Sequence, residues 1–223
     1  MTINDDEHYA ELAEQARTLY TGAVLDVLDE LGVKDCVLPA ELTPLRPEMR
    51  FCGPAFAVEG RSHPEMDRDR SMRAILEMLG AVPAQHVVVY QPHDSTSSHL
   101  GELSVTALKA RGCVGAVIDG GCRDVGHIVA EGFPVFCRYT TPIDAVGRWE
   151  LLGYGHEVFF GGARVRTGDY VIADEDGIVV IPHEVRDETI ARAKMVALTE
   201  NLVRRAVRDG VLPIDAYERH GRF

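Results

Sequence analysis

Lysine is nearly missing from this 223-residue sequence: only Lys34, Lys109 and Lys194 occur. None falls in an apolar strand, where loss of water would lower an amine's pKa far enough for imine chemistry. The residues therefore disfavour a Schiff-base mechanism. Positive charge in general is short. There are 23 Lys and Arg against 35 Asp and Glu, a formal charge of −12. Phosphate backbones and anionic lipid surfaces reward cationic side chains, so neither nucleic acid nor a membrane is expected as a partner. A divalent cation or a basic protein segment stays compatible. No CxxC occurs, and the five cysteines (Cys36, Cys52, Cys113, Cys122, Cys137) are odd in number with no finger-like spacing. That pattern gives no zinc-finger signature, and free thiols in a reduced compartment are the simplest reading. No apolar run approaches the roughly 20 residues of a membrane helix. The opening MTINDDEHYAEL has no hydrophobic stretch, so the expectation is a soluble, cytoplasmic protein. What remains is 46% hydrophobic and 26% charged, ordinary globular composition, long enough to bury a core without staples.

Along the chain, Ala10, Leu12, Ala13, Ala16, Leu19 and Tyr20 recur at helical spacing. Thr21 can cap a second helix that stops at Gly32. Residues 33–53 read as loop, with Pro39, Pro44 and Pro47. AFAVEG (55–60) reads as a strand, 62–80 as a helix with Pro64 near its start and Gly80 past its end, and HVVVYQ (86–91) as a buried strand. Residues 93–102 read as a polar loop. Helices at 103–112 and 122–132 alternate with strands at 114–120 and 133–139, a rhythm that implies a parallel sheet. Residues 157–182 show short strands between Gly and Asp turns, antiparallel or barrel-like. A long amphipathic helix over 183–207 closes the pattern, with Val185, Ile190, Ala193, Val196, Ala197 and Val203 on one stripe. The expectation is one α/β domain over 1–223.

The densest chemistry is Gly101-Glu102 together with Asp119-Gly120-Gly121-Cys122-Arg123-Asp124. Both stretches lie where a predicted parallel strand turns into a helix, the edge at which open α/β sheets bind ligands. Helix N-termini there offer N–H groups to an anion. Arg123 could grip a carboxylate through two hydrogen bonds. Glu102 and Asp124 supply hard oxygens suited to Mg²⁺ or Mn²⁺. A carboxylate grip beside a carboxylate-held ion suits a 2-oxo acid. The plainer alternative makes Arg123 and Asp124 a helix cap and a surface pair. Cys122 reads as packing, because no His-Asn arrangement surrounds it. His93 and His99 read as loop histidines that could line a pocket. Asp174, Glu175 and Asp176 read as a turn rather than a calcium loop. Gly161-Gly162 lacks the Gly-Lys-Ser/Thr of a phosphate loop.

The stretch GELSVTALKARGCVGAVIDGGCRDVGHI (101–128) resembles the RraA-like family. That family holds class II 4-hydroxy-4-methyl-2-oxoglutarate/4-carboxy-4-hydroxy-2-oxoadipate aldolases and the regulator of ribonuclease E activity. Its aldolases carry an acidic residue, twenty residues, then Arg-Asp; here these are Glu102 and Arg123-Asp124, with Glu where Asp is more usual. RTGDYVIADEDGIVVIP (166–182) is similar to a second family motif, with Thr167 in place of its Pro. TPIDAVGRW (141–149) and LYTGAVLDVLDELG (19–32) are similar to two more, so the resemblance runs over about 15–207. It implies a swivelling β/β/α fold, with a central β-sandwich or barrel-like sheet and outer helices. It also implies homotrimers or hexamers with active sites between subunits. By resemblance, Asp124 holds a divalent metal (Mg²⁺ or Mn²⁺) and Glu102 a metal-bound water. Arg123 binds the pyruvyl oxygens, and the backbone at Gly101, Leu103 and Ser104 receives the carboxylate. Glu200 is a counterpart for an acidic residue contributed by a neighbouring subunit, and Arg148 could reach a distal carboxylate or an interface. The implied activity is a metal-dependent lyase releasing pyruvate from a short 4-hydroxy-2-oxo acid and decarboxylating oxaloacetate. A rival expectation is a non-catalytic regulator that binds a ribonuclease or helicase through its acidic surface. The methyltransferase label sometimes given to the family is not supported, since no Gly-rich strand–turn–helix for S-adenosylmethionine is found.

Overall fold

Side chains along a strand point alternately to opposite faces, and here that alternation sorts the strands' residues into separate cores. The computed structural model describes residues 18–223; the predicted helical residues Ala10, Leu12, Ala13 and Ala16 lie outside them. Helix α1 is Thr21–Glu30. Strands β1 (Thr43–Pro44) and β2 (Phe51–Ser62) follow, then α2 (Arg68–Ala81), β3 (Val87–Gln91) and β4 (Ser98–Leu100). Next come α3 (Glu102–Ala110), β5 (Gly115–Cys122), α4 (Val125–Glu131) and β6 (Val135–Thr140). Strands β7 (Trp149–Tyr154), β8 (Glu157–Phe160), β9 (Ala163–Arg166), β10 (Tyr170–Asp174) and β11 (Gly177–Ile181) precede α5 (Arg186–Arg208) and α6 (Pro213–His220).

The main sheet runs β1-β6-β5-β3-β2-β10-β11, with β4 beside β5 and β7 beside β2. Strands β2, β3, β5 and β6 are parallel neighbours, so the predicted βαβ rhythm begins one unit earlier than the sequence suggested. Residues 36–45 then bring the two sheet ends close. Val37 pairs with Val179 of β11, while Thr43 and Pro44 pair with Cys137 and Phe136 of β6. The sheet is thereby nearly closed into a barrel. Inside it lie Ala55, Ala57, Val87, Val89, Val117, Val171 and Val180, with the β8–β9 hairpin contributing Val158, Phe160 and Val165. The alternate residues Val58, Val88, Tyr90 and Ile118 face α2, α3 and α4. Tyr170, Ile172, Val179 and Ile181 face α1 and α5. No helix among the described residues is long and apolar enough to cross a membrane.

Several sequence expectations change. Thr21 is the first residue of α1, and Tyr20 is the N-cap. The role of cap passes to Asp174, whose carboxylate accepts from Thr21 N at 2.8 Å and Thr21 Oγ1 at 2.7 Å. The rest of the acidic triplet is a two-residue turn, closed by the Asp174–Gly177 pair. Helix α2 starts at Arg68 because Asp67 accepts from Arg70 N, and it continues through Gly80. The 33–53 and 93–102 loops contain β1 and β4, while β7 and α6 were not foreseen. Thr167 is more than a lost proline: its Oγ1 accepts from Ala57 N at 3.0 Å and ties the β10 turn to β2.

Candidate active site

Residues 22 positions apart meet because β4 lies parallel to β5. Leu100 is paired with Cys122, and Arg123 N donates to the Leu100 carbonyl at 3.0 Å. The turn after β4 and the turn after β5 therefore sit side by side. Asp124 is held at φ 55°, ψ 33° as the N-cap of α4, a left-handed conformation that costs a non-glycine residue but that Asp tolerates better than most. In that conformation its Oδ2 accepts from Glu102 N at 3.1 Å, the first amide of α3. Gly101 makes the approach possible: a β-carbon there would lie 2.7 Å from Asp124 Oδ2 and 3.1 Å from Arg123 Nε. The first-turn amides of α3, at Leu103 and Ser104, have no carbonyl within the helix to bind.

The Arg123 guanidinium lies between two carboxylates, with Nε 3.6 Å from Asp124 Oδ2 and Nη1 3.7 Å from Asp144 Oδ2. Asp144 was missed by sequence reasoning, although its TPIDAVGRW motif was recognised. It belongs to the loop after β6, where a bridge to Ser98 and the bond from Ser98 N to the Ile143 carbonyl draw it to the site. Gly101, Glu102, Leu103, Ser104, Arg123, Asp124 and Asp144 all line one cavity of about 250 Å³. Its size falls just below the roughly 300–1,000 Å³ of drug-sized pockets and suits a short acid. A larger cleft of about 390 Å³, lined by Phe51, Cys113, Val114 and Pro134 among others, opens at the opposite ends of β2, β5 and β6 and gathers no carboxylates.

No three His, Cys, Asp or Glu side chains converge as a metal cluster among the described residues. The donors present are carboxylate oxygens with room for water around them. That set fits Mg²⁺, which keeps several waters and takes one or two carboxylates. Glu200 does not line this cavity. It accepts from Tyr20 Oη and lies 3.8 Å from Arg222. Arg148 turns to the Asp144 carbonyl at 3.2 Å. Cys122 is buried against Cys137; its hydrogen bond to that neighbour and its burial push the thiol's pKa far up, consistent with packing. His93 faces Glu59 at 3.3 Å, outside the cavity.

His99 does contribute to the lining, as a buried ring edge-on to Trp149 at 5.2 Å. Its Nε2 is 3.2 Å from Asp94 Oδ2. Burial lowers its pKa from 6.5 to about 4 against the pull of Asp94, so the ring is neutral at pH 7. The unfolded chain takes up this proton near pH 6.5 and the folded chain refuses it until about pH 4. Acid in that window therefore favours unfolding, by about 2 kcal/mol at pH 5. Denaturant titrations at pH 7 and pH 5 should show this loss in the wild type and a smaller one in His99→Phe. Equal losses in both proteins would remove His99 as the cause.

A family model described as RraA-like (Aldolase/RraA) matches residues 21–180. A Halalkalibacterium halodurans protein named "Putative 4-hydroxy-4-methyl-2-oxoglutarate aldolase" is 31% identical over 203 residues, 91% of each chain. A solved structure of an uncharacterized Pseudomonas syringae protein superposes with a TM-score of 0.82 at 25% identity, covering 93% of this chain and 96% of that one. Streptomyces coelicolor RraAS2, described as an unusual member of the RNase ES inhibitor RraA protein family, gives a TM-score of 0.75 at 28% identity, with 87% and 96% covered.

Proposed function

This chain belongs to the RraA-like family, and from that premise we propose that it is a divalent-metal-dependent lyase. It would cleave a short 4-hydroxy-2-oxo acid by retro-aldol chemistry, releasing pyruvate, and decarboxylate oxaloacetate by the same enolate route. The observation that carries this reading is the shared cavity: Glu102, Arg123, Asp124 and the N-terminus of α3 converge on one small space. Asp124, with Glu102 beside it, would hold the ion, which when bound would act as a Lewis acid on the 2-oxo group. The Leu103 and Ser104 amides would receive the substrate carboxylate at the positive end of α3. Arg123, flanked by Asp124 and Asp144, would orient the pyruvyl oxygens and stabilise the negative charge that grows on them. In cleavage the C4 hydroxyl gives up its proton, the C3–C4 bond breaks, and the electron pair moves towards the 2-oxo oxygen. A proton then returns to C3, and Glu102 would hold the water that carries it.

The test is pyruvate release from oxaloacetate and from 4-hydroxy-2-oxo acids, with Mg²⁺, with EDTA, and in Asp124→Ala. Release that needs metal and is lost in the variant is the expected result; undiminished release in Asp124→Ala would sink the assignment. The regulator reading is favoured by the inhibitor family named for the S. coelicolor structure and by the charge of −12. The complete Glu102/Arg123/Asp124 set argues against it. It would take over if no pyruvate and no metal binding were found, and the chain instead bound an Arg-rich segment in a salt-sensitive way.

A further inference from the structure

Asp144 sits in a loop that is tied down at several points. Its Oδ1 accepts from Val146 N at 3.2 Å, the side-chain-to-backbone bond of an Asx turn. Its carbonyl accepts from Arg148 Nη1 at 3.2 Å. On either side the loop is laced to β4: Ser98 N donates to the Ile143 carbonyl at 2.7 Å, and Ala145 N to the Ser98 carbonyl at 3.2 Å. Ser98 is in turn paired with Gly121 of β5. Asp144 is thereby fixed to the strand edge that carries Arg123. Its second carboxylate oxygen, Oδ2, lies 3.7 Å from Arg123 Nη1.

The other carboxylate beside Arg123 has competing claims on it. Asp124 Oδ2 accepts from Glu102 N at 3.1 Å and stands 3.6 Å from Arg123 Nε. In the lyase reading the same carboxylate holds a divalent ion. A cation on Asp124 offsets its attraction for the guanidinium and repels that group directly. Without a second anchor, a long side chain released in this way regains rotamer freedom and is no longer aimed at the pyruvyl oxygens. Asp144 attracts the guanidinium through Nη1, at the far end from Nε, and has no part in holding the ion.

We infer that Asp144 is a positioning residue, which keeps the Arg123 guanidinium aimed into the site while Asp124 carries the ion. The inference rests on the lyase reading and deepens it. It gives Arg148 a part as well, since its bond to the Asp144 carbonyl steadies the loop. A double-mutant cycle of Asp144→Asn and Arg123→Ala tests it. Asparagine keeps an oxygen for Val146 N and removes the charge. In pyruvate release with Mg²⁺, Asp144→Asn should lower kcat about tenfold, the scale on which groups that orient a ligand act, with a smaller change in KM and an unchanged Tm. In the Arg123→Ala background the same substitution should change the rate by less than about twofold, because nothing is left to position. Equal losses in both backgrounds would overturn the proposal. If Asp144→Asn does not fold, Arg148→Ala takes its place in the cycle, with the same expected outcome. A second readout needs no turnover. The NMR heteronuclear NOE of the Arg123 Nε–H, identified by its absence in Arg123→Ala, should fall in Asp144→Asn as the side chain is freed. An unchanged NOE would overturn the positioning role and leave the lyase reading standing. A fall in the NOE, in a protein whose wild type releases no pyruvate, would overturn the lyase reading and keep Asp144 as the anchor of Arg123.

Discussion

Arg123→Ala should lower turnover by roughly 10²–10³-fold, the cost of removing one donor aimed at developing charge, while the fold stays intact. The two effects separate because of where the guanidinium sits. It is 37% exposed, and its carboxylate neighbours are 3.6 Å and 3.7 Å away. Pairs that open to water contribute about 0–1 kcal/mol to stability, which for a chain of this length moves Tm by no more than about 4 °C. Arg123→Lys should recover only part of the rate, since an ammonium is a point charge without the planar fork that two oxygens require. Steady-state kinetics with a melting curve on the same samples checks both halves. A rate within threefold of wild type in Arg123→Ala would move the substrate grip elsewhere, and a collapse of Tm would make Arg123 a structural residue.

Gly60→Ala is expected to be the most damaging substitution for stability. A β-carbon at Gly60 would stand 1.9 Å from Trp149 Cζ2 and 2.2 Å from Cε2. The indole cannot step aside. It is 1% exposed, its Nε1 donates to the Pro92 carbonyl at 2.9 Å, and His99 packs edge-on against it. The register between β2 and β7 shifts at Glu59/Gly60, which sets the bare backbone over the ring. Overpacking a core costs about 1–3 kcal/mol, and a displaced indole N–H left without its acceptor adds about 1–3. The sum, about 2–6 kcal/mol, is a large part of the 5–15 kcal/mol that usually holds a domain. Denaturant unfolding measures it; a loss under about 1 kcal/mol would mean that the ring has somewhere to go. Because His99 on the same ring lines the cavity, activity should also fall in whatever fraction remains folded.

The reading of the candidate site from sequence went furthest where the chain brings its own parts together. Gly101-Glu102 and Arg123-Asp124 each open a helix, which local pattern showed, but the strand β4 that seats Gly101 beside Arg123 lies in a stretch that reads as loop and came only from its pairing with β5. Asp144 could not be found from local pattern either. It lies in an irregular loop whose approach depends on a bridge to Ser98, and neither partner carries a periodic signal. The sequence did contain a hint, the resemblance of TPIDAVGRW to a family motif, but not the role of its acidic residue. Strand β7 was missed for a related reason: in WELLGY its partner β2 is about ninety residues away and the turn residues around it are weak. The extra reach of β2, read as 55–60 and observed as Phe51–Ser62, comes from three neighbours, β3, β7 and β10, that hold its ends in place.

By itself the sequence determined the succession of strands and helices from β3 to β6 apart from β4, the amphipathic α5, the scarcity of amines for imine chemistry, and the clustering of Glu102 and Arg123-Asp124 at helix starts. These are properties of spacing and composition, which the chain carries wherever it folds. Only the tertiary structure decided that the sheet nearly closes through residues 36–45, that Asp174 caps α1 from across 153 residues, and that Asp144 joins Arg123 and Asp124 on one cavity. Each of these depends on groups distant in sequence meeting at hydrogen-bond or van der Waals range. Such encounters are settled by the simultaneous burial of three cores, a condition that no local stretch of residues encodes.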